Sequence, residues 1–215
     1  MIPYCDTRNP WAEGLLVRDE GPDRACIREQ RREYGHIDWA GHTVLDLGAN
    51  IGAFARFAIM RGASRVTCVE PDPGNIKLLE ANLMDDLMSL ERAAVNNDGQ
   101  PVDLYLANND QHWSHSTVPT RGRRPVVVDG IALRDLLRNH TAVKCDIEGG
   151  EYGLDWSTLA GSAVTTVVME LHLNRQAWRE TGVPALFTTF ADLGFVINNP
   201  SVPAKHWNIV RSWTR

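Results

Sequence analysis

The chain has 215 residues, of which 43% are hydrophobic and 23% charged, with a formal net charge of -5. That is enough apolar material for one domain-sized core, and it excludes a disordered or fibrous chain. The acidic balance offers no global attraction to a polyanion. Cys5, Cys26, Cys68 and Cys145 form neither a Cys-x-x-Cys pair nor a zinc-spaced group, which points to free thiols in a reducing compartment.

The N-terminus carries no basic stretch followed by an apolar core, and no run of about 18 apolar residues occurs anywhere. A cytoplasmic protein with no membrane partner is the expectation. Residues 1–40 are polar and rich in turn formers, and read as an N-terminal helical and loop extension with a helix over 24–34. The mixed-charge run from Arg28 to Glu33 is expected to be a solvated helix face. Residues 41–215 read as a single compact domain. Short apolar runs alternate there with amphipathic segments, the pattern of a parallel sheet wrapped by helices. Strands are expected over 43–47, 65–69, 91–95, 102–106, 125–129, 142–146, 164–171, 195–198 and 207–213. Helices are expected over 51–61, 74–84 and 181–193, with Asp129 capping another through Leu137. Residues 107–122 have the least pattern and are expected to form a loop or lid.

The segment Asp46-Leu47-Gly48-Ala49-Asn50-Ile51-Gly52 is a strand end turning into a helix, a geometry that aims backbone N–H groups above the sheet edge. A dinucleotide fold would have glycine where Asn50 and Ala53 stand, which argues against a pyrophosphate and a dehydrogenase. A cofactor with an amino-acid tail and no phosphates fits better. Its ammonium can meet Asp46 or nearby carbonyls, and its carboxylate the helix N-terminus formed with Gly48, Ala49, Asn50 and Gly52. Glu70 ends the next strand about 20 residues on, where a carboxylate can accept two ribose hydroxyls. Pro71 is placed to pack on a base, and Ala94 and Val95 to contact its edge.

The segment Val143-Lys144-Cys145-Asp146-Ile147-Glu148-Gly149-Gly150-Glu151 resembles the hallmark of the FkbM family of methyltransferases, a lysine-containing strand running into an Asp-x-Glu-Gly-x-Glu turn. The likeness extends in order and spacing to residues 46–52, 69–71, 94–99, 131–137 and 169–172, and so covers about residues 40 to 198. It implies a Rossmann-like class I methyltransferase fold: α/β, a doubly wound, mostly parallel sheet with an antiparallel C-terminal strand. It also implies S-adenosylmethionine as donor and O-methylation of a hydroxyl on a sugar or natural product.

Asp146 is expected at the end of the strand beside the cradle, facing the donor's methyl or ammonium group. Asp146, Glu148 and His172 are the candidates for taking a proton from a hydroxyl acceptor. Glu170 and His172 lie two apart and share a strand face. With Asp146 and Glu148 they are candidates to hold a hard divalent cation such as magnesium, although the spacing matches no metal motif. His112, Trp113 and His115 lie in the loop and could meet an acceptor, and Arg121, Arg123 and Arg124 form a short basic cluster beside it. The expected partners are a small-molecule acceptor and a second copy of the chain in a homodimer. The alternatives are a nucleic-acid methyltransferase and a non-catalytic S-adenosylmethionine-binding protein. The first lacks an Asn/Asp-Pro-Pro-aromatic motif and a Pro-Cys nucleophile.

Overall fold

The computed structural model describes residues 1–107, 114–198 and 208–215. A seven-stranded sheet forms its centre: β1 (Thr43–Leu47), β2 (Arg65–Val69), β3 (Met88–Glu91), β4 (Ala142–Cys145), β5 (Thr166–His172), β6 (Val196–Asn198) and β7 (Asn208–Thr214). Their spatial order is β6-β7-β5-β4-β1-β2-β3. The strands from β5 to β3 pair in parallel, and β7 runs antiparallel to both of its neighbours. Strand order reverses between β1 and β4, so a crevice opens at the carboxyl ends of those two strands.

Five helices are α1 (Asp23–Tyr34), α2 (Ala53–Met60), α3 (Pro73–Asn82), α4 (Leu133–Leu136) and α5 (Val183–Asp192). Because both faces of a parallel sheet must be covered, β1 and β4 are apolar except at Thr43, Asp46 and Lys144. One face packs Trp156, Phe190 and Trp213 against Leu45 and Val143, and the other packs Trp39, Phe54 and Phe57 against Val44 and Val66. Helix α3 starts where expected, with Pro73 in its first turn and the Asp72 carboxylate accepting the Asn75 N–H at 2.8 Å.

Two expectations are corrected. Residues 91–95 do not form one strand. β3 ends at Glu91, and a separate strand Ala94–Asn96 leaves the sheet edge to pair in parallel with Gly130–Ala132. Asp129 caps no helix, because its carbonyl accepts the Ala94 N–H at 2.8 Å and the chain stays extended until α4. Both departures put residues 93–95 against the crevice instead of in the sheet.

The first 40 residues pack on the body of the domain. Asn82 accepts the Leu16 N–H at 2.7 Å and donates to the carbonyls of Leu16 and Ile51, at 3.0 and 2.9 Å. Trp39 meets the Phe54 ring edge-on at 5.1 Å. His112 and Trp113 lie outside the described residues, and no described helix is long and apolar enough to cross a membrane.

Candidate active site

A cavity of about 290 Å³ opens at the switch point between β1 and β4. Of the residues expected there, Gly48, Ala49, Asn50, Glu70, Pro71, Ala94, Val95, Asp146 and Glu148 line it, while Asp46, Gly52 and His172 do not. Gly48 (φ 79°) lies so close to the Asp146 carbonyl that a Cβ would collide with it. Gly52 (φ 84°) leaves room for Leu79, whose Cδ1 would lie 2.6 Å from an added Cβ, so its part is packing of α2 on α3.

The turn after β1 does not present its N–H groups outward, as its sequence suggested. Gly48 and Ala49 donate to the Val69 carbonyl at 3.0 and 3.1 Å, and Gly52 donates to the Ala49 carbonyl at 2.9 Å. The turn folds back on the end of β2, which satisfies these donors within the protein. Asn50, in the left-handed region at φ 52°, donates its N–H to Glu70 Oε2 at 2.8 Å. Glu70 Oε1 accepts the Asp72 N–H at 3.0 Å and the Asn75 side-chain amide at 3.2 Å. Burial raises the Glu70 pKa to about 7 even against these three donors.

Asp46 is fully buried behind the cavity wall and paired with Lys144, whose Nζ lies 3.1 Å from Oδ1. Lys144 also donates to the Gly48 carbonyl at 2.9 Å and lies 4.0 Å from Asp146 Oδ2. Burial opposes the Lys144 charge, but Asp46 and Asp146 outweigh it and keep its pKa above the ordinary lysine value. Burial likewise raises the Asp46 pKa, against the pull of Lys144. Asp46 thus lies behind the cavity wall, whereas Lys144 lines it. The signal that could have found it is a lone lysine inside the apolar strand Ala142–Cys145.

Beyond β4 the chain turns through Glu148, at φ 56° and outside the region that residues with a side chain prefer. Its carbonyl accepts the Ser116 hydroxyl at 2.7 Å, and the following Gly149 (φ 96°) lies against the Trp178 ring, where any Cβ would clash. Glu151 turns inward. Its carboxylate accepts the Gly149 N–H at 2.8 Å and both the N–H and Nδ1 of His172 at 3.0 Å. His172 Nε2 faces Glu148 Oε2 at 3.2 Å and Asp146 Oδ1 at 3.9 Å. Burial works against a charged imidazole, but hydrogen bonds to Glu148 and Glu151 hold the His172 pKa well above its ordinary value. Burial also pushes the Glu148 carboxyl up, against His172. Asp146, Glu148 and His172 each bring one ligand atom within 4.8 Å of the others, the one such grouping among the described residues.

Glu170, on the same face as His172, lines the cavity, and burial with the nearby Asp146 charge raises its pKa to about 8. The folded chain thus holds a proton that the unfolded chain releases in the ordinary carboxylate range. Stability should then fall as pH rises from about 4.5 towards 8, where the folded state finally releases it. Glu170→Gln is expected to raise the thermal midpoint at pH 8 relative to wild type and to leave it nearly unchanged at pH 4.5. Equal effects at both pH values would show that Glu170 does not carry this slope.

Helix α1 closes one wall. Cys26, Glu29, Gln30 and Glu33 line the cavity at helical spacing, so part of the mixed-charge run faces inward and is not a solvated face. The opposite rim is formed by His115 and Thr117. His115 Nδ1 accepts the Ala107 N–H at 2.9 Å, and Nε2 lies 3.6 Å from Asp72. Of the arginine cluster, Arg123 is bound to Ser114 inside this segment, whereas Arg121 and Arg124 are exposed.

The methyltransferase FkbM domain model matches residues 46–197. The chain belongs to the FkbM methyltransferase family. No curated protein matches the sequence. Solved structures supply the fold. An FkbM methyltransferase of Methylobacillus flagellatus KT is 15% identical with a TM-score of 0.56, covering 84% of this chain and 45% of its own. A Listeria monocytogenes protein assigned as an S-adenosylmethionine-dependent methyltransferase is 12% identical with a TM-score of 0.55, covering 89% of this chain and 99% of its own. A ribosomal protein L11 methylase of Lactobacillus delbrueckii subsp. bulgaricus is 14% identical with a TM-score of 0.51, covering 90% and 79%. The FkbM chain therefore has the Rossmann-like class I architecture and is an S-adenosylmethionine-dependent methyltransferase.

Its cavity suits that donor. Pro71, Val95 and Leu104 give an apolar wall for a base. Glu70 keeps lone-pair capacity for one hydroxyl, since a carboxylate has about four acceptor sites and three are taken. Asp146 supplies negative charge toward a sulfonium and an ammonium.

Proposed function

We propose that this FkbM methyltransferase methylates a hydroxyl of a small-molecule acceptor, a sugar or natural product, with Glu148 as the proton acceptor. The observation that supports this most is the position of the Glu148 carboxylate on the cavity wall beside Asp146, with His172 behind it at 3.2 Å. When bound, S-adenosylmethionine supplies an electrophilic methyl group. Gly48, Ala49 and Asn50 would flank it, Glu70 would accept a ribose hydroxyl, and Pro71, Ala94 and Val95 would contact its adenine.

Glu148 takes the hydroxyl proton as the oxygen becomes nucleophilic. Its raised pKa suits a general base better than an ordinary carboxylate would. Asp146 orients the acceptor from the end of β4. His172, predicted above as a base, has Glu148 and Glu151 facing its two ring nitrogens, and their charges favour the protonated imidazole against the effect of burial. It therefore positions Glu148 instead of accepting the substrate's proton. The buried walls of α1 and of residues 115–117 keep water from competing for the methyl group.

We read the Asp146–Glu148–His172 grouping as an ion-paired cluster and not as a metal site, with His172 Nε2 3.2 Å from Glu148 and 3.9 Å from Asp146. Turnover is expected to survive prolonged chelator treatment without loss, and recovery only on adding magnesium would reverse this reading. The function is tested by incubating the protein with methyl-labelled donor and a panel of sugars, glycosylated metabolites, peptides and oligonucleotides. A methyl ether on a small hydroxylated acceptor is expected. Labelled oligonucleotide or peptide in its place would overturn the proposal.

A further inference from the structure

The FkbM domain match begins at residue 46, so the first 40 residues lie outside it. They nevertheless grip α3 near both of its ends. Towards its last turn Asn82 accepts the Leu16 N–H at 2.7 Å, and in its first turn Asn75 Oδ1 accepts Arg18 Nη2 at 2.5 Å. Asn75 and Asn82 stand about two turns apart, on one face of the helix.

Arg18 is itself held in place from the other side. Its Nη1 donates to Asp23 Oδ1 at 2.7 Å, and its backbone N–H donates to Asp23 Oδ2 at 2.8 Å. Asp23 opens α1 and is buried, and the Arg18 side chain is mostly buried with it. A planar guanidinium presents its donors in a fixed fork, so one side chain ties Asp23 to Asn75. The Asn75 amide carries an acceptor at one end and donors at the other. With its oxygen on a cation, its NH2 faces Glu70 Oε1 at 3.2 Å. A continuous chain Asp23–Arg18–Asn75–Glu70 therefore runs from the start of α1 to the carboxylate at the end of β2.

Burial opposes the charge on Glu70, and the Asn75 amide is one of three donors that favour it. The other titratable groups on this side are Asp72, whose charge disfavours ionisation of Glu70, and His115, 3.6 Å from Asp72. We propose that Arg18 is a positioning residue for donor binding: through Asn75 it aims a hydrogen bond at the Glu70 carboxylate and holds that carboxylate ready for a ribose hydroxyl. This rests on the ribose reading of Glu70. A residue outside the matched domain then helps set how tightly the cavity holds its donor.

The experiment follows calorimetric binding of S-adenosylhomocysteine against pH. In the wild type, affinity should strengthen as pH rises through about 7. In Arg18→Met the midpoint of that rise should move up by about 1 pH unit, the equivalent of most of one hydrogen bond to a charged group. Affinity at pH 7 should then fall by about 5-fold, while at pH 9 the two proteins should bind alike. Asn75→Ala should displace the midpoint in the same direction, and adding Arg18→Met to it should displace it no further, since one acts through the other. Because Arg18→Met leaves the Asp23 carboxylate buried without its cation, Asp23→Asn/Arg18→Met is measured beside it and should show the same displacement. A midpoint that stays in place in the folded variants, or displacements that add in the Arg18→Met/Asn75→Ala protein, would overturn the inference and leave Arg18 a clamp on α1 alone. A wild-type affinity that does not change between pH 6 and 8 would overturn the ribose reading of Glu70 and this inference with it.

Discussion

Glu148→Gln is expected to lower kcat by about 100- to 10,000-fold, the usual worth of a positioned general base, while donor affinity changes little. Glutamine keeps the shape of the side chain and can still meet His172, but it cannot take up a proton. The backbone should hold, because the left-handed turn is secured by the Ser116 hydroxyl on the Glu148 carbonyl and by Gly149 against Trp178. Since the active form is the carboxylate, and burial raises its pKa, wild-type kcat should rise with pH through a value above the ordinary carboxylate range. The residual activity of the variant should lose that rise. Donor affinity is read by calorimetry and kcat by single-turnover and steady-state rates. A variant that turns over at the wild-type rate would remove Glu148 from the chemistry. Equal losses in kcat and donor affinity would make it a cofactor ligand instead.

The second large effect is expected at Glu70. Glu70→Ala should weaken donor binding by about 10- to 100-fold, because a hydrogen bond from a ribose hydroxyl to a charged acceptor is worth about 1.5 to 3 kcal/mol and truncation removes it. The same change orphans the Asn50 and Asp72 N–H groups and the Asn75 amide, so the thermal midpoint should also fall. Binding must be read well below that midpoint. Glu70→Gln separates the two effects, since one acceptor oxygen remains for the turn. With the wild-type pKa at about 7, the carboxylate gains its charge as pH rises from 6 to 8. Donor affinity should strengthen over that interval in the wild type and stay flat in Glu70→Gln. Unchanged affinity in Glu70→Ala would contradict a ribose role outright.

Much of this molecule is legible in its sequence because the relevant signals are local. The apolar runs of β1, β2 and β4, the Pro and Asp that open α3, and the Asp46–Gly52 turn each follow from a few consecutive residues. Together with the Asp146–Glu151 segment they carry the family, the donor and the sheet. Glu70, Pro71, Ala94, Val95, Asp146 and Glu148 were placed at the cavity by the rule that strand ends gather at a switch point. Which group faces which was decided only by the tertiary structure. Parallel pairing of β4 with β1 sets Lys144 beside Asp46, which places Asp46 in a buried ion pair. The return of the β1 turn onto Val69 consumes donors that looked free. Helix α1 turns acidic residues inward because Ile27 and Tyr34 anchor the adjoining face in the core. The positioning role proposed for His172 follows from Glu148 and Glu151, members of the motif but distant in sequence from His172, which face its two ring nitrogens. The sequence alone determined the fold, the donor and the residues at the strand ends, since periodicity and turn chemistry are short-range. The charge state and direction of each site group waited on the packed structure, because burial and pairing depend on residues dozens of positions away.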